Sequence, residues 1–298
     1  MVEQVFGFLN IDKPKGMTSH DVVAKVRRMS RQTTGTKKVG HAGTLDPMAT
    51  GVLVVCLGHA TRLSEYAMNS TKAYRATVHL GIETDTYDIE GEVIAEKDAS
   101  HISHEELEAA FQPFIGDIQQ VPPIYSAIKK DGKKLYELAR KGEEVKIESR
   151  SATIHNLNLQ EWTPPLFVLD VTCAAGTYIR SLAHDIGEKL AVGAHLSGLI
   201  RTRSGGFSIE NAVALDSLLD SDDWQDNIIS PKEALSDWQA LYLTDEQVSE
   251  LKLGRFIEND GSLSNDYIMA FMDNGHLLSV LENRGKYWKP HKVFLPQS

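Results

Sequence analysis

The stretch Gly40-His41-Ala42-Gly43-Thr44-Leu45-Asp46-Pro47-Met48-Ala49-Thr50-Gly51 sets three glycines and a proline around one ionisable acid. The apolar run Val52 to Leu57 follows at once, so the pattern predicts a tight loop presenting a carboxylate at the mouth of a buried strand. Loops held by rigid strands are where binding and catalytic groups concentrate. An aspartate before a proline is by itself most often a turn residue, so the reading of Asp46 depends on what the rest of the chain supplies.

Upstream of the loop, Thr18 and Ser19 are N-cap candidates, and Val22, Val23, Val26 and Met29 fall on one helical face with Lys25 and Arg28 on the wet side. Downstream, Tyr74 to Leu80 alternates with period two, which places Tyr74 at the start of a strand. Phe167 to Cys173 reads as another strand. Beyond Gly176, the stripe Ile179, Leu182, Ala183, Ile186 and Leu190 marks a helix that begins beside Tyr178 and Arg180. Strands and helices do not alternate in regular βαβ order, so the expected fold class is α+β with a mixed, mainly antiparallel central sheet.

The segment Ala214 to Asp237 carries seven acids against Lys232 alone and reads as a linker or an exposed terminal helix. After it, Thr244 with Gln247 forms a capping box, Gly254 closes that helix, and Asp273-Asn274-Gly275 is a hairpin turn. The chain thus divides into a main domain over 1–237 and a small β-rich unit over 238–298, short enough to need support from its neighbour.

At 298 residues and 42% hydrophobic, the sequence has ample material for a large core. Met1 to Gly16 lacks a basic start followed by an apolar core, and no apolar run approaches the roughly 20 residues of a membrane helix, so a cytoplasmic address is expected. Cys56 and Cys173 lie in apolar runs and read as small buried side chains in a reducing compartment. A net charge of -10 argues against a nucleic-acid partner, yet Asp12 to His41 holds eight lysines and arginines against Asp12 and Asp21. That run is either a basic binding face or a solvated helix face. No phosphate-loop or dinucleotide pattern occurs, no paired histidines or cysteines suggest a metal, and no serine elbow is present. What remains is Asp46, Tyr74, Tyr178, Arg180 and a basic surface, each unremarkable alone.

Their order, however, is distinctive. Asn10 to Ser19, Gly40 to Leu53, Lys72-Ala73-Tyr74-Arg75, Thr84 to Asp88, Gln120 to Lys129, Gly132 to Tyr136, Gly176 to Arg180 and Ala194-His195-Leu196 together resemble the TruB family of tRNA pseudouridine synthases across nearly the whole chain. A departure is Ile200, where the family often has an arginine; it removes a backbone contact and touches no catalytic position. The resemblance implies a pseudouridine synthase fold with a PUA-like, RNA-binding C-terminal domain, and isomerisation of uridine 55 in the TΨC arm of tRNA without cofactor, metal or guide RNA. A secondary tRNA-folding role, a monomer and no membrane partner are also implied. By family position Asp46 is catalytic, Tyr74 stacks on the extruded uracil, His41 fills the gap in the RNA stack, Tyr178 and Leu199 line the pocket, Arg180 orients the carboxylate, and Lys13 supports the loop. Lys129, Lys130, Lys133 and Lys134, in an RNA-clamping insertion over about 121–150, are implied to grip the backbone.

Overall fold

Strand Thr50–Leu57 is buried along nearly its whole length, and the continuous apolar run has a simple cause: both of its faces are covered. Leu53, Val55 and Leu57 enter one hydrophobic cluster, while Val52, Val54 and Cys56 enter another on the opposite face. The computed structural model that shows this describes residues 5–124 and 147–294, and between them the backbone of strands Lys129–Lys130 and Lys133–Lys134.

The strand order of the large sheet is Val213–Ala214, Gly7–Lys13, Thr50–Leu57, Ala194–Ser204, Lys72–Leu80, Leu166–Cys173, Arg150–Thr163 and Gly116–Gln120. Val213–Ala214 runs parallel to Gly7–Lys13, and Ala194–Ser204 runs parallel to Thr50–Leu57; the other pairings are antiparallel. The mixed, mainly antiparallel α+β architecture expected from the sequence is therefore present. Helix Ser19–Thr34 starts at a Thr18–Asp21 capping box and turns Val22, Val23, Val26 and Met29 onto the sheet. Helix Ile179–Lys189 buries Ile179, Leu182, Ala183 and Ile186 on the same side.

The acidic segment corrects an expectation. It is neither a linker nor an exposed helix, because Leu215, Leu218 and Trp224 are buried in the main core. The Trp224 indole N–H donates to Thr33 Oγ1 at 3.1 Å, and Ile229 exchanges backbone hydrogen bonds with Phe8 at 2.9 and 2.8 Å. Three large apolar side chains outweigh the acid-rich composition, since burying each is worth about 2 kcal/mol. The segment also brings Asp220 and Asp222 to a cleft beside Lys25 and Arg28, which lowers the positive potential of that helix face.

A second, five-stranded sheet spans Ala240–Tyr242 to Tyr287–Val293, with helix Asp245–Lys252 capped by Thr244 and Gln247 as read from the sequence. It leans on the main sheet as its size requires: Met269, Phe271, Leu277, Val280 and Phe294 share a cluster with Phe8, Val52 and Val54. Arg62 Nη1 donates to the Val293 carbonyl and Lys292 Nζ to the Arg62 carbonyl, both at 2.6 Å.

Candidate active site

The Asp46 loop is held from three sides. Ser19 joins helix and loop by donating to the Leu45 carbonyl at 3.1 Å and accepting from its N–H at 2.8 Å. Lys13, wholly buried, donates to the carbonyls of Pro14 at 2.9 Å and Met17 at 2.6 Å, with Pro47 at 3.4 Å. Burial pushes its ammonium down to about 8, against the opposing charge of Asp46. From the neighbouring strand, Arg201 donates to the carbonyls of Val52 at 2.7 Å and Gly43 at 3.0 Å. Gly51 is needed at the crossing: its φ is +94°, and a Cβ there would lie 2.3 Å from the Arg201 carbonyl oxygen.

The loop delivers Asp46 to Arg180 with its carboxylate still one-third exposed: Nε lies 3.1 Å from Oδ2 and Nη2 lies 3.3 Å from Oδ1. The guanidinium also donates through Nη1 to Asp88 Oδ2 at 3.2 Å. Asp88 is itself fixed, its Oδ1 accepting from Thr86 Oγ1 at 2.7 Å and from the Glu90 N–H at 3.0 Å. A cation in the first turn of a helix opposes the macrodipole, and the two carboxylates compensate for it. Gln120 holds the start of that helix, accepting from the Tyr178 N–H at 3.0 Å and donating to its carbonyl at 3.2 Å.

Asp46, Tyr74, Tyr178, Arg180 and Leu199 line one cleft of about 390 Å³, with Met68, Asn69, Lys72 and Arg201 among the other residues of its wall. This volume falls in the small-ligand range. Burial raises the Asp46 pKa, Arg180 opposes the rise, and Asp88 reinforces it. Burial likewise raises the Tyr74 phenol, keeping that ring uncharged at neutral pH. Lys72, pushed down to about 8 by burial, donates to Ser70 Oγ at 2.7 Å and to the Ser70 and Met68 carbonyls at 2.9 and 3.1 Å. It thereby pins the turn that carries Met68 and Asn69.

The sequence-named residues therefore separate into groups. Five share the cleft, and Lys13 lies beneath the loop. His41 stands beside the loop at the end of strand Val39–His41, its ring 5.1 Å from that of His20. Among the described residues its Nδ1 has no hydrogen-bond partner, and burial holds the imidazole down to about 4, so it is neutral at physiological pH. The side chains of Lys129, Lys130, Lys133 and Lys134 lie outside the described residues; their backbones pair as two short antiparallel strands. Three contributors were not singled out from the sequence: Asp88, Lys72 and Arg201. Asp88 and Lys72 sit inside the quoted motifs, but their partners are tertiary or conformational, and an isolated arginine in a strand carries no signal of what it supports.

A family model described as TruB family pseudouridylate synthase (N terminal domain) matches residues 31–179, and one described as tRNA pseudouridylate synthase B C-terminal domain matches residues 180–237. This chain belongs to the TruB family. It is accordingly an isomerase of the pseudouridine synthase class. A tRNA pseudouridine synthase B from Symbiobacterium thermophilum is 52% identical over 78% of this chain and 77% of its own length. Another, from Clostridium perfringens, is 42% identical over 98% of this chain and 99% of its own. Among solved structures, a Cbf5-Nop10-Gar1 complex matches with a TM-score of 0.75 and 28% identity, covering 98% of this chain and 85% of that one. An H/ACA RNP bound to a substrate RNA containing 2'-deoxyuridine matches with a TM-score of 0.74 and 25% identity, over 98% of this chain and 86% of that one. Within this TruB chain, Ile200 is 41% exposed, one position before the buried Arg201 that braces the loop.

Proposed function

We propose that this TruB-family chain converts uridine 55 in the TΨC arm of tRNA to pseudouridine, with Asp46 as the catalytic carboxylate. The observation that carries this reading is a single partly open carboxylate, gripped by Arg180 in a cleft that also holds Tyr74, Tyr178 and Leu199. The reaction breaks the N1–C1′ bond, turns the uracil and forms a C5–C1′ bond, while the C5 proton leaves and N1 takes up a proton. Atoms balance without an external reagent, so no cofactor or metal enters the reading. Among the described residues, no group of three or more histidines, cysteines and acids could hold a metal ion.

The uridine must be extruded from folded RNA at a cost of a few kcal/mol. Stacking of the base on Tyr74, worth about 1–3 kcal/mol, offsets much of that cost, and the neutral His41 ring is suited to fill the vacated position. Two routes use the same ionised Asp46: attack as a nucleophile, or removal of a sugar proton. Arg180 serves either by keeping the carboxylate charged and aimed. Backbone contacts are assigned to Lys129, Lys130, Lys133 and Lys134 and to the 238–298 unit read as PUA-like. The protein acts alone in the cytoplasm, as a monomer and without a guide RNA.

The test incubates the purified chain with an unmodified tRNA transcript and maps pseudouridine. Modification at position 55 without any guide is expected, and Asp46→Asn abolishes turnover while leaving tRNA binding nearly intact. Strong residual pseudouridine formation by Asp46→Asn would refute the assignment, and a requirement for guide RNA would place the chain with the H/ACA-type assemblies instead.

A further inference from the structure

Tyr87 immediately precedes Asp88 and adopts φ 63°, a left-handed conformation that is unusual for a bulky residue and is expected where surrounding structure enforces it. Its backbone turns at Thr84 and is tied to strand Ala194–Ser204, with the Leu196 N–H donating to the Tyr87 carbonyl at 3.0 Å. The phenol ring lies flat on the His184 imidazole, with centroids 4.0 Å apart and planes 11° from parallel. His184 follows Arg180 by one helical turn, so the two side chains leave helix Ile179–Lys189 on one face. That face therefore meets two adjacent loop residues at once: Arg180 takes the Asp88 carboxylate and His184 takes the Tyr87 ring. Among the described residues, His184 Nδ1 is buried with no hydrogen-bond partner, while the ring itself is engaged by the Tyr87 stack.

We propose that Tyr87 and His184 are positioning residues: their stack locks the Thr84–Asp88 turn against the helix, holds Asp88 on Arg180, and so fixes the direction of the Asp46 carboxylate. Neither residue is among those lining the reaction cleft. Their effect reaches it through Arg180, whose guanidinium spans both carboxylates. Without the stack, the turn at Tyr87 keeps its backbone ties to Thr84 and to strand Ala194–Ser204 but loses its side-chain anchor on the helix, so Asp88 is held less rigidly against Nη1. The guanidinium then loses part of what orients it toward the Asp46 carboxylate.

The inference rests on the proposed pseudouridine synthase activity, and its test separates the two. Tyr87→Gly accepts the positive φ but removes the ring; Tyr87→Phe keeps the ring; His184→Ala and His184→Phe do the same from the helix side. In single-turnover assays at saturating enzyme, Tyr87→Gly and His184→Ala are expected to react about tenfold more slowly with unchanged RNA affinity, whereas both Phe variants stay within about twofold of wild type. A wild-type rate in Tyr87→Gly or His184→Ala overturns the proposal, and so does failure of both Phe variants to restore it. The second readout needs no activity: the Arg180 Nε–H resonance of the RNA-free protein is expected to stay slowly exchanging in wild type and Phe variants and to broaden in the Gly and Ala variants. Its persistence in those two overturns the clamp even if wild type proves inactive on tRNA, an outcome that would separately sink the functional reading.

Discussion

Replacing Arg180 with methionine removes the cation shared by Asp46 and Asp88 while roughly keeping the volume of the side chain. With N···O contacts of 3.1–3.3 Å, the charge centres lie about 4 Å apart, and at an effective dielectric near 20 the attraction is about 4 kcal/mol. The Asp46 carboxylate is 33% exposed, so solvent screening trims the usable part to about 2 kcal/mol, or roughly 30-fold in an equilibrium or rate. The sign follows from the charges present: burial and Asp88 already raise the Asp46 pKa, and Arg180 is the leading opposing influence. Its loss drives the pKa higher, so the acid limb of the rate profile moves toward neutral pH. Tritium release from tRNA labelled at uridine C5, followed in single turnover across pH 5 to 9, measures both quantities. Arg180→Met should be at least about 30-fold slower at neutral pH with its acid limb displaced upward. A variant with the wild-type limb and rate would show that the guanidinium does not govern Asp46.

Tyr74→Leu removes the stacking ring and should slow turnover by about 10- to 100-fold with tRNA affinity little changed, as measured by filter binding beside the rate assay. Gly51→Ala forces a Cβ to 2.3 Å from the Arg201 carbonyl at φ +94°, so thermal and denaturant unfolding should report a loss of about 3 kcal/mol or more. Lys13→Met leaves the carbonyls of Pro14 and Met17 without their donor, a cost of about 1–3 kcal/mol in the same measurements. Lys13 also has a pH signature: its folded pKa of about 8 lies below the ordinary 10.5, so the unfolded chain binds more protons between those values. Wild-type stability should therefore gain from this group as pH rises from about 8 toward 10.5, and the difference between wild type and Lys13→Met across that window isolates it.

Much of the architecture could be read from local chemistry. The period of 3.6 in Val22, Val23, Val26 and Met29, the alternation from Tyr74 to Leu80, and the Thr244–Gln247 and Asp273-Asn274-Gly275 signals each act over a few residues, so sequence alone determined those elements. The ordered motifs likewise named Asp46, Tyr74, Tyr178, Arg180 and Leu199, which the fold gathers into one cleft. Composition misled at Ala214 to Asp237, because charge counts cannot show that three apolar side chains anchor an otherwise acidic segment. Tertiary structure decided what supports the site. Asp88 meets Arg180 across 92 positions of chain, Arg201 reaches under Gly43 across 158, and the Tyr87 ring finds His184 only because a helix and a loop converge. Hydrogen bonds, ion pairs and ring stacks depend on distances of a few ångströms between separately formed elements, and nothing in local propensity encodes such distances.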